Sequence, residues 1–136
     1  MNQARIKLME ETELTPYVIL AIQFIYTILF GTAAWDKIQG KTVPEWFIKS
    51  FEPTFLSKLP GGARAQFWMI AGMESILAVG FPLSVVLSDI LPFLLLASMF
   101  FFGILCFGLR ITKDFQGSAN MFIYFTATIF SLSIFS

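Results

Sequence analysis

Four long apolar segments dominate this sequence, at about residues 16–35, 66–87, 90–109 and 119–136. Within a bilayer, each must satisfy its backbone hydrogen bonds internally, so each is predicted to be a helix. At ~1.5 Å per residue the first three cover the ~30 Å hydrocarbon core, whereas the fourth is marginal. The pattern predicts an all-α membrane protein, with residues 1–136 forming one transmembrane domain, an up-down bundle of four transmembrane helices.

The composition also favours a membrane protein. Hydrophobic residues make up 57% of the chain and charged residues 13%, more apolar surface than a water-soluble core of this size could hide. Nine basic and nine acidic residues cancel, so nucleic acid is not an expected partner. With one cysteine, Cys106, and no histidine, the chain lacks an internal disulfide and the usual haem and zinc ligands. We therefore expect no metal and no redox cofactor of its own.

The first fifteen residues are predicted to be a short polar tail. They mix basic and acidic side chains, and no small-residue cleavage pattern follows the first apolar segment, so a removable signal peptide is not expected. Thr15 and Pro16 have the residue types of a helix cap and a first-turn proline. The first transmembrane helix is therefore predicted to begin there.

The long first loop contains an amphipathic segment at residues 43–59. Thr42 and Glu45 have the spacing of a capping box, with Pro44 in the first turn, so a short helix is predicted to begin there. The segment mixes aromatic, aliphatic and basic residues, which is typical of a helix lying along the membrane surface. A lid over a binding site is the alternative interpretation, and interfacial packing is favoured over it.

The distribution of basic residues predicts an orientation. The first and third loops with their edges carry seven basic residues, and the opposite side of the membrane carries Arg5 and Lys7. Under the positive-inside rule, both long loops are expected in the cytoplasm and both termini on the non-cytoplasmic side.

One carboxylate, Glu74, lies inside the second apolar segment. On a helix it shares a face with the small residues Ala71, Ser75 and Ala78, so that face is expected to meet protein rather than lipid. A charge within the membrane costs at least roughly 2.5 kcal/mol, so it normally has a partner or a function. Lysine and arginine reach inward from helix ends, which makes Lys37 or Arg110 the expected counter-ion.

Up-down connectivity predicts a polar cluster around this acid. Lys37, Arg110 and Asn120 are expected at the same membrane face, with Tyr124 one turn deeper. One interpretation is a buried structural ion pair that holds the helices in register. The other is a site for a ligand's polar head, such as a quinone or another small amphiphile, where the carboxylate could relay a proton. Contact with a partner subunit is a third.

Three segments resemble the DoxX-like membrane proteins. Residues 31–40 are similar to the glycine, lysine and glycine pattern that closes the first helix of that family, and residues 74–80 to its second-helix glutamate followed by small residues. Residues 108–124, with Arg110 and Asn120, are similar to the end of such chains. The chain departs from the pattern at Ala78, where glycine is frequent in the family, and it has no cysteine pair.

The resemblance implies a four-helix integral protein of the bacterial cytoplasmic membrane, often a small subunit of something larger. Some relatives are associated with thiosulfate oxidation coupled to quinone, and others with oxidative-stress complexes or membrane redox maturation. The missing cysteine pair does not favour thiol chemistry, and the family implies no catalytic constellation. From the family pattern, the resemblance implies only that Lys37 and Glu74 form a signature pair in this chain.

Two functions from different classes follow as expectations. The first is an accessory or structural subunit of a larger bacterial membrane complex, without its own redox cofactor and with the lipid bilayer and other membrane subunits as partners. The alternative is a small subunit of a quinone-linked oxidoreductase that binds a quinone-like head group at the polar cluster. A carrier for an amphiphile or ion is a third hypothesis, which requires a gap through the bundle.

Overall fold

The computed structural model describes residues 3–135, and the side chains of residues 14–135. Its regular secondary structure in this range is entirely helical, which confirms the predicted class. Five α-helices follow one another: α1 (Gln3–Gly40), α2 (Glu45–Phe51), α3 (Gly62–Leu83), α4 (Leu91–Ile111) and α5 (Phe115–Ser133). Two short 3-10 turns, Phe55–Lys58 and Ser88–Ile90, precede α3 and α4.

Three helices in the described part of the chain are long and apolar enough to cross a membrane. They cover Leu14–Gly40, Gly62–Leu83 and Ser88–Ile111. Helix α5 has 19 residues but is less apolar, because Gln116, Ser118 and Asn120 lie in its first two turns. The three apolar helices identify a membrane protein whose outward side chains suit contact with lipid.

Helix α1 begins well before the predicted start. It runs from Gln3, so Thr15 and Pro16 lie within it. The prediction that the helix begins at Thr15 and Pro16 is therefore wrong, although the apolar stretch suited to a membrane starts close by, at Leu14; Met1 and Asn2 lie outside the described residues. Residues 4–11 are mostly alanine, leucine, methionine, lysine, arginine and glutamate, which are strong helix formers, and this composition extends the helix across the proline.

The amphipathic segment of the first loop forms α2 and the following 3-10 turn. The predicted capping box does not form: Pro44 occupies the N-cap, and the Thr42 hydroxyl donates to the Gly40 carbonyl instead. The 3-10 turn is tied to α3 because the Gln66 side-chain amide donates to the Leu56 carbonyl at 2.7 Å. The loop is thereby held against the start of α3.

The long helices pack as two close antiparallel pairs, α1 with α3 and α4 with α5. Lys37 meets Glu74 at one end of the first pair, and near its other end Gln23 donates to Ser84 at 2.9 Å. In the second pair the Ser118 hydroxyl donates to the Cys106 carbonyl at 3.2 Å. Helices α3 and α4, which follow one another along the chain, have a narrower contact than either pair.

An aromatic layer joins the two pairs. Phe30 of α1 lies 5.9 Å from Phe81 of α3 and 5.4 Å from Phe102 of α4, measured between ring centroids. Phe102 in turn lies 5.5 Å from Tyr124 of α5. The layer links all four long helices through large side chains, which hold the pairs together while the backbone of α1 stays apart from those of α4 and α5.

Candidate functional site

The structure pairs Lys37 with Glu74. The Lys37 Nζ donates to both carboxylate oxygens at 3.0 Å, and the exposed fractions of the two side chains are 25% and 6%. Lys37 lies in the last turn of α1, and Glu74 lies near the middle of α3. The ion pair thus joins the end of α1 to the middle of α3.

Small side chains allow this approach. Ala34 lies almost one turn from Lys37 and Ala71 almost one turn from Glu74, and both alanines are buried. An ammonium group has three N–H donors, and two of them are directed at Glu74. The third donor is available to a ligand oxygen on the exposed side of Lys37.

The ion pair lies in an open groove of about 670 Å³. Aromatic side chains of α2 form one wall: Phe47 stacks on Phe51 at 4.4 Å and meets the edge of Phe67 of α3 at 5.2 Å, while Trp46 is exposed at the opening. The site therefore combines one cation and its carboxylate with walls that are mainly apolar.

Helices α4 and α5 supply the opposite side of the groove, through Leu105, Leu109 and Met121. Asp36, Lys113 and Asp114 lie at its rim, and all three are exposed. A ligand entering from the membrane interface would pass these charges before reaching Lys37.

The structure does not bring Arg110 or Asn120 to the ion pair. Arg110 is exposed, and its guanidinium lies over the Phe115 ring, 5.0 Å from the centroid. Asn120 is also exposed, and its side-chain oxygen accepts a hydrogen bond from Gln116 at 3.3 Å. Successive residues on a helix are turned by about 100°, and α4 and α5 are rotated so that Leu109 and Met121 face the groove in place of their neighbours.

Tyr124, the remaining predicted residue, is half-buried in the aromatic layer beside Phe102. It lines a second cavity and not the groove. Of the five candidate residues, the structure therefore brings together Lys37 and Glu74. The other three, Arg110, Asn120 and Tyr124, do not contact the ion pair.

The second cavity is an apolar cleft of about 420 Å³ between α1 and α5. Val18, Ile25 and Leu29 line it from α1, and Ala127 lines it from α5. Tyr26 lies on its inner side, where its hydroxyl shares a hydrogen bond of 2.7 Å with Thr128. The cleft thus presents mainly hydrocarbon.

Sequence reasoning missed the part played by α2 in the groove. It favoured plain interfacial packing for residues 43–59, whereas Trp46, Phe47 and Phe51 line the cavity that holds the ion pair. The available signal was the spacing of Phe47 and Phe51, four residues apart on one helix face.

No protein-family model, curated protein or solved structure matches this chain. The resemblance to DoxX-like proteins therefore stays a prediction. Among the described residues, no group of three or more histidine, cysteine, aspartate or glutamate side chains could hold a metal ion. The groove and its ion pair are the features of the molecule that bear on function.

Proposed function

We propose that this chain is an integral membrane protein that binds the polar head of a quinone-like amphiphile in the groove beside Lys37 and Glu74. The observation that carries the proposal is the Lys37 ammonium, fixed by both oxygens of Glu74 in an open groove whose other walls are largely aromatic and aliphatic. A planar head with carbonyl oxygens matches both features. Its ring packs against Phe47 or Trp46, and one of its oxygens accepts a hydrogen bond from the third N–H group of Lys37.

The ion pair also suits a ligand that gains or loses protons when it is reduced or oxidised. The Glu74 carboxylate can exchange a proton with a hydroxyl oxygen bound beside it, while Lys37 donates hydrogen bonds. The chain would bind the head group and relay protons, while a neighbouring subunit of an oxidoreductase would carry the electrons. This role requires no redox cofactor in the chain.

We further propose four membrane spans in up-down order, in the bacterial cytoplasmic membrane, as in DoxX-like proteins. The 19 residues of α5 would reach ~28 Å at ~1.5 Å per residue, nearly the thickness of the hydrocarbon core. The excess of basic residues in the first and third loops supports an orientation with these loops and the groove on the cytoplasmic side and both termini on the other. In this arrangement α2 lies at the cytoplasmic interface.

Tryptophan fluorescence tests the binding proposal. Trp46 lines the groove, so a variant that keeps Trp46 and carries Trp35→Phe and Trp68→Phe reports on the site. We expect saturable quenching when a benzoquinone with one isoprenyl unit is added to this variant in nanodiscs of phosphatidylethanolamine and phosphatidylglycerol. In the same background, Lys37→Met/Glu74→Leu should weaken binding about tenfold or more, since a charge-assisted hydrogen bond is lost.

A matched control is Lys41→Met, because Lys41 is exposed and does not line the groove. It should leave the quenching curve unchanged. Quenching that rises linearly without saturation, or that is the same with and without the ion pair, would mean that the quinone meets Trp46 only by collision within the bilayer.

A role as an accessory subunit is the second candidate, and α5 supports it. Its first turns expose Gln116 and Asn120, and further along Phe122 and Phe130 are exposed by 61% and 71%. Exposed amides on a membrane helix favour contact with protein, because lipid tails cannot accept their hydrogen bonds. We propose that another membrane subunit covers this face.

Purification from native bacterial membranes in mild detergent tests the accessory role. We expect the chain to migrate with other membrane proteins, and Gln116→Leu/Asn120→Leu to release it from them, since the exposed amides would be lost. Thr32→Leu is the control, because Thr32 is an exposed polar residue on α1. A stable, solitary wild-type monomer would contradict the accessory role.

A further inference from the structure

The apolar cleft and the groove are separate cavities in the gap between α1 and the α4–α5 pair: they share no lining residue, and on α1 the cleft reaches Leu29 while the groove begins at Asp36. On α4, Phe102 lines the cleft and Leu105 lines the groove, three residues further along the helix. On α5, Tyr124 lines the cleft and Met121 the groove, again three residues apart. Since three residues correspond to nearly one helical turn, the two cavities are neighbours on the same faces of both helices.

The gap exists because α1 packs closely against α3 and not against α4 or α5. The aromatic layer spans the distance with rings, so the backbones of α1 and α5 stay apart. Ala21 of α1 and Ala127 of α5 line the cleft, and neither side chain is large enough to fill it. The cleft therefore stays open on its outer side because Ala21 and Ala127 are small, while the rings of the aromatic layer keep the helices apart.

Two of the three side chains with hydroxyl groups that line the cleft have protein partners. The Tyr26 hydroxyl is hydrogen-bonded to Thr128, and the Ser131 hydroxyl donates to the Ala127 carbonyl at 3.0 Å. The third is Tyr124, and the rest of the lining is hydrocarbon, so a molecule in the cleft gains mainly by burying hydrocarbon. From Val18 to Leu29 the α1 side of the cleft extends about 16 Å, at ~1.5 Å per residue.

We propose that the cleft receives the hydrocarbon chain of the amphiphile whose head lies in the groove, an inference that rests on the proposed function. The ligand class is then a head group with acceptor oxygens that carries one extended chain, in contrast to a two-chain phospholipid or a short soluble compound. The head lies beside Lys37, and the chain runs between α1 and α5 toward the opposite end of the helices. The polar part stays near the interface, and the chain lies at the depth of the bilayer core.

Two probes with the same head separate the head site from the chain site. A benzoquinone with one isoprenyl unit reports on the groove, and the same benzoquinone with a ten-carbon chain reports on groove and cleft together. Both are titrated against Trp46 fluorescence in nanodiscs. The test variants, Ala21→Leu and Ala127→Leu, fill the cleft from opposite sides. The control is Ala119→Leu, because Ala119 is an exposed residue of α5 that lines neither cavity.

We expect both cleft variants to weaken binding of the ten-carbon probe about tenfold, the effect of losing roughly two buried methylene groups. Binding of the one-isoprenyl probe should stay as in the wild type, and Ala119→Leu should change neither. Unchanged ten-carbon binding in both cleft variants would overturn the inference and place the chain in the surrounding lipid. Loss of one-isoprenyl binding in both variants would overturn it too, because the cavities would not act as separate head and chain sites.

The same titrations distinguish this inference from the proposal beneath it. If the wild type shows no saturable binding of the one-isoprenyl probe, the head-group site fails and the chain site fails with it. If that binding persists in every variant, and binding of the ten-carbon probe is the same in the cleft variants as in the wild type, the head-group site is supported and the chain site is not.

Discussion

Replacing Lys37 with methionine is expected to lower the free energy of unfolding by about 3–5 kcal/mol, because the Glu74 carboxylate would stay buried without its partner. Only 6% of the Glu74 side chain is exposed, and Lys37 donates to both of its oxygens. Glu74→Leu should cost less, since Lys37 lies in the last turn of α1 and its long side chain can turn outward to water. Denaturant titration in detergent micelles, followed by circular dichroism, measures both losses.

The double variant Lys37→Met/Glu74→Leu should recover most of the stability, because replacing both members of a buried ion pair by apolar groups is often close to neutral. Lys41→Met serves again as the control and should change the unfolding free energy by less than about 0.5 kcal/mol. A loss in Lys37→Met no larger than in Lys41→Met would show that the ion pair does not stabilise the fold. A double variant that is stable but no longer binds the quinone would separate a ligand site from a purely structural pair.

Phe30→Ala is expected to destabilise the protein by about 3–5 kcal/mol, the usual cost of removing a buried phenylalanine ring. Phe30 is 2% exposed. Its ring centroid lies between 5.4 and 6.2 Å from those of four other rings, Tyr26, Phe81, Phe101 and Phe102. The loss should be large because this ring connects α1 to α4, two helices whose backbones are not in close contact. Thermal unfolding in the same micelles measures it.

Phe24→Ala is the matched comparison, since Phe24 lies on the same helix and is 67% exposed. It should change the unfolding free energy by less than about 0.5 kcal/mol. If the two substitutions had similar effects, the aromatic layer would not be what holds the two helix pairs together.

Much of the secondary structure was predictable from hydrophobic pattern alone. The apolar segments at residues 66–87 and 90–109 correspond to α3 and α4 within a few residues, because a run of this length must be helical in a bilayer. Helix boundaries were less predictable. Pro16 was predicted from the sequence to lie at the start of a helix, yet α1 continues on both sides of it.

The contacts of the candidate site were predictable only in part. The presence of Glu74 in an apolar helix implies a cation nearby, since a lone charge there is costly. The sequence offered Lys37 or Arg110 as the counter-ion, and the rotation of α4 decides between them: Leu105 and Leu109 face the groove, and Arg110 turns outward to Phe115. A rotation of this kind depends on how whole helix surfaces pack, which no local pattern specifies.

The amino-acid sequence is enough to show that this chain is helical, that it has helices suited to a membrane, and that Glu74 needs a partner. Each of these follows from local chemistry, because backbone groups without hydrogen bonds and unpaired charges are both costly in the hydrocarbon core. The packing of the helices in three dimensions was needed to show that α1 packs against α3, that Met121 and not Asn120 faces the groove, and that a cleft lies open between α1 and α5. These depend on which large and small side chains meet across helices distant in sequence, and Phe30, Phe81 and Phe102 set that spacing.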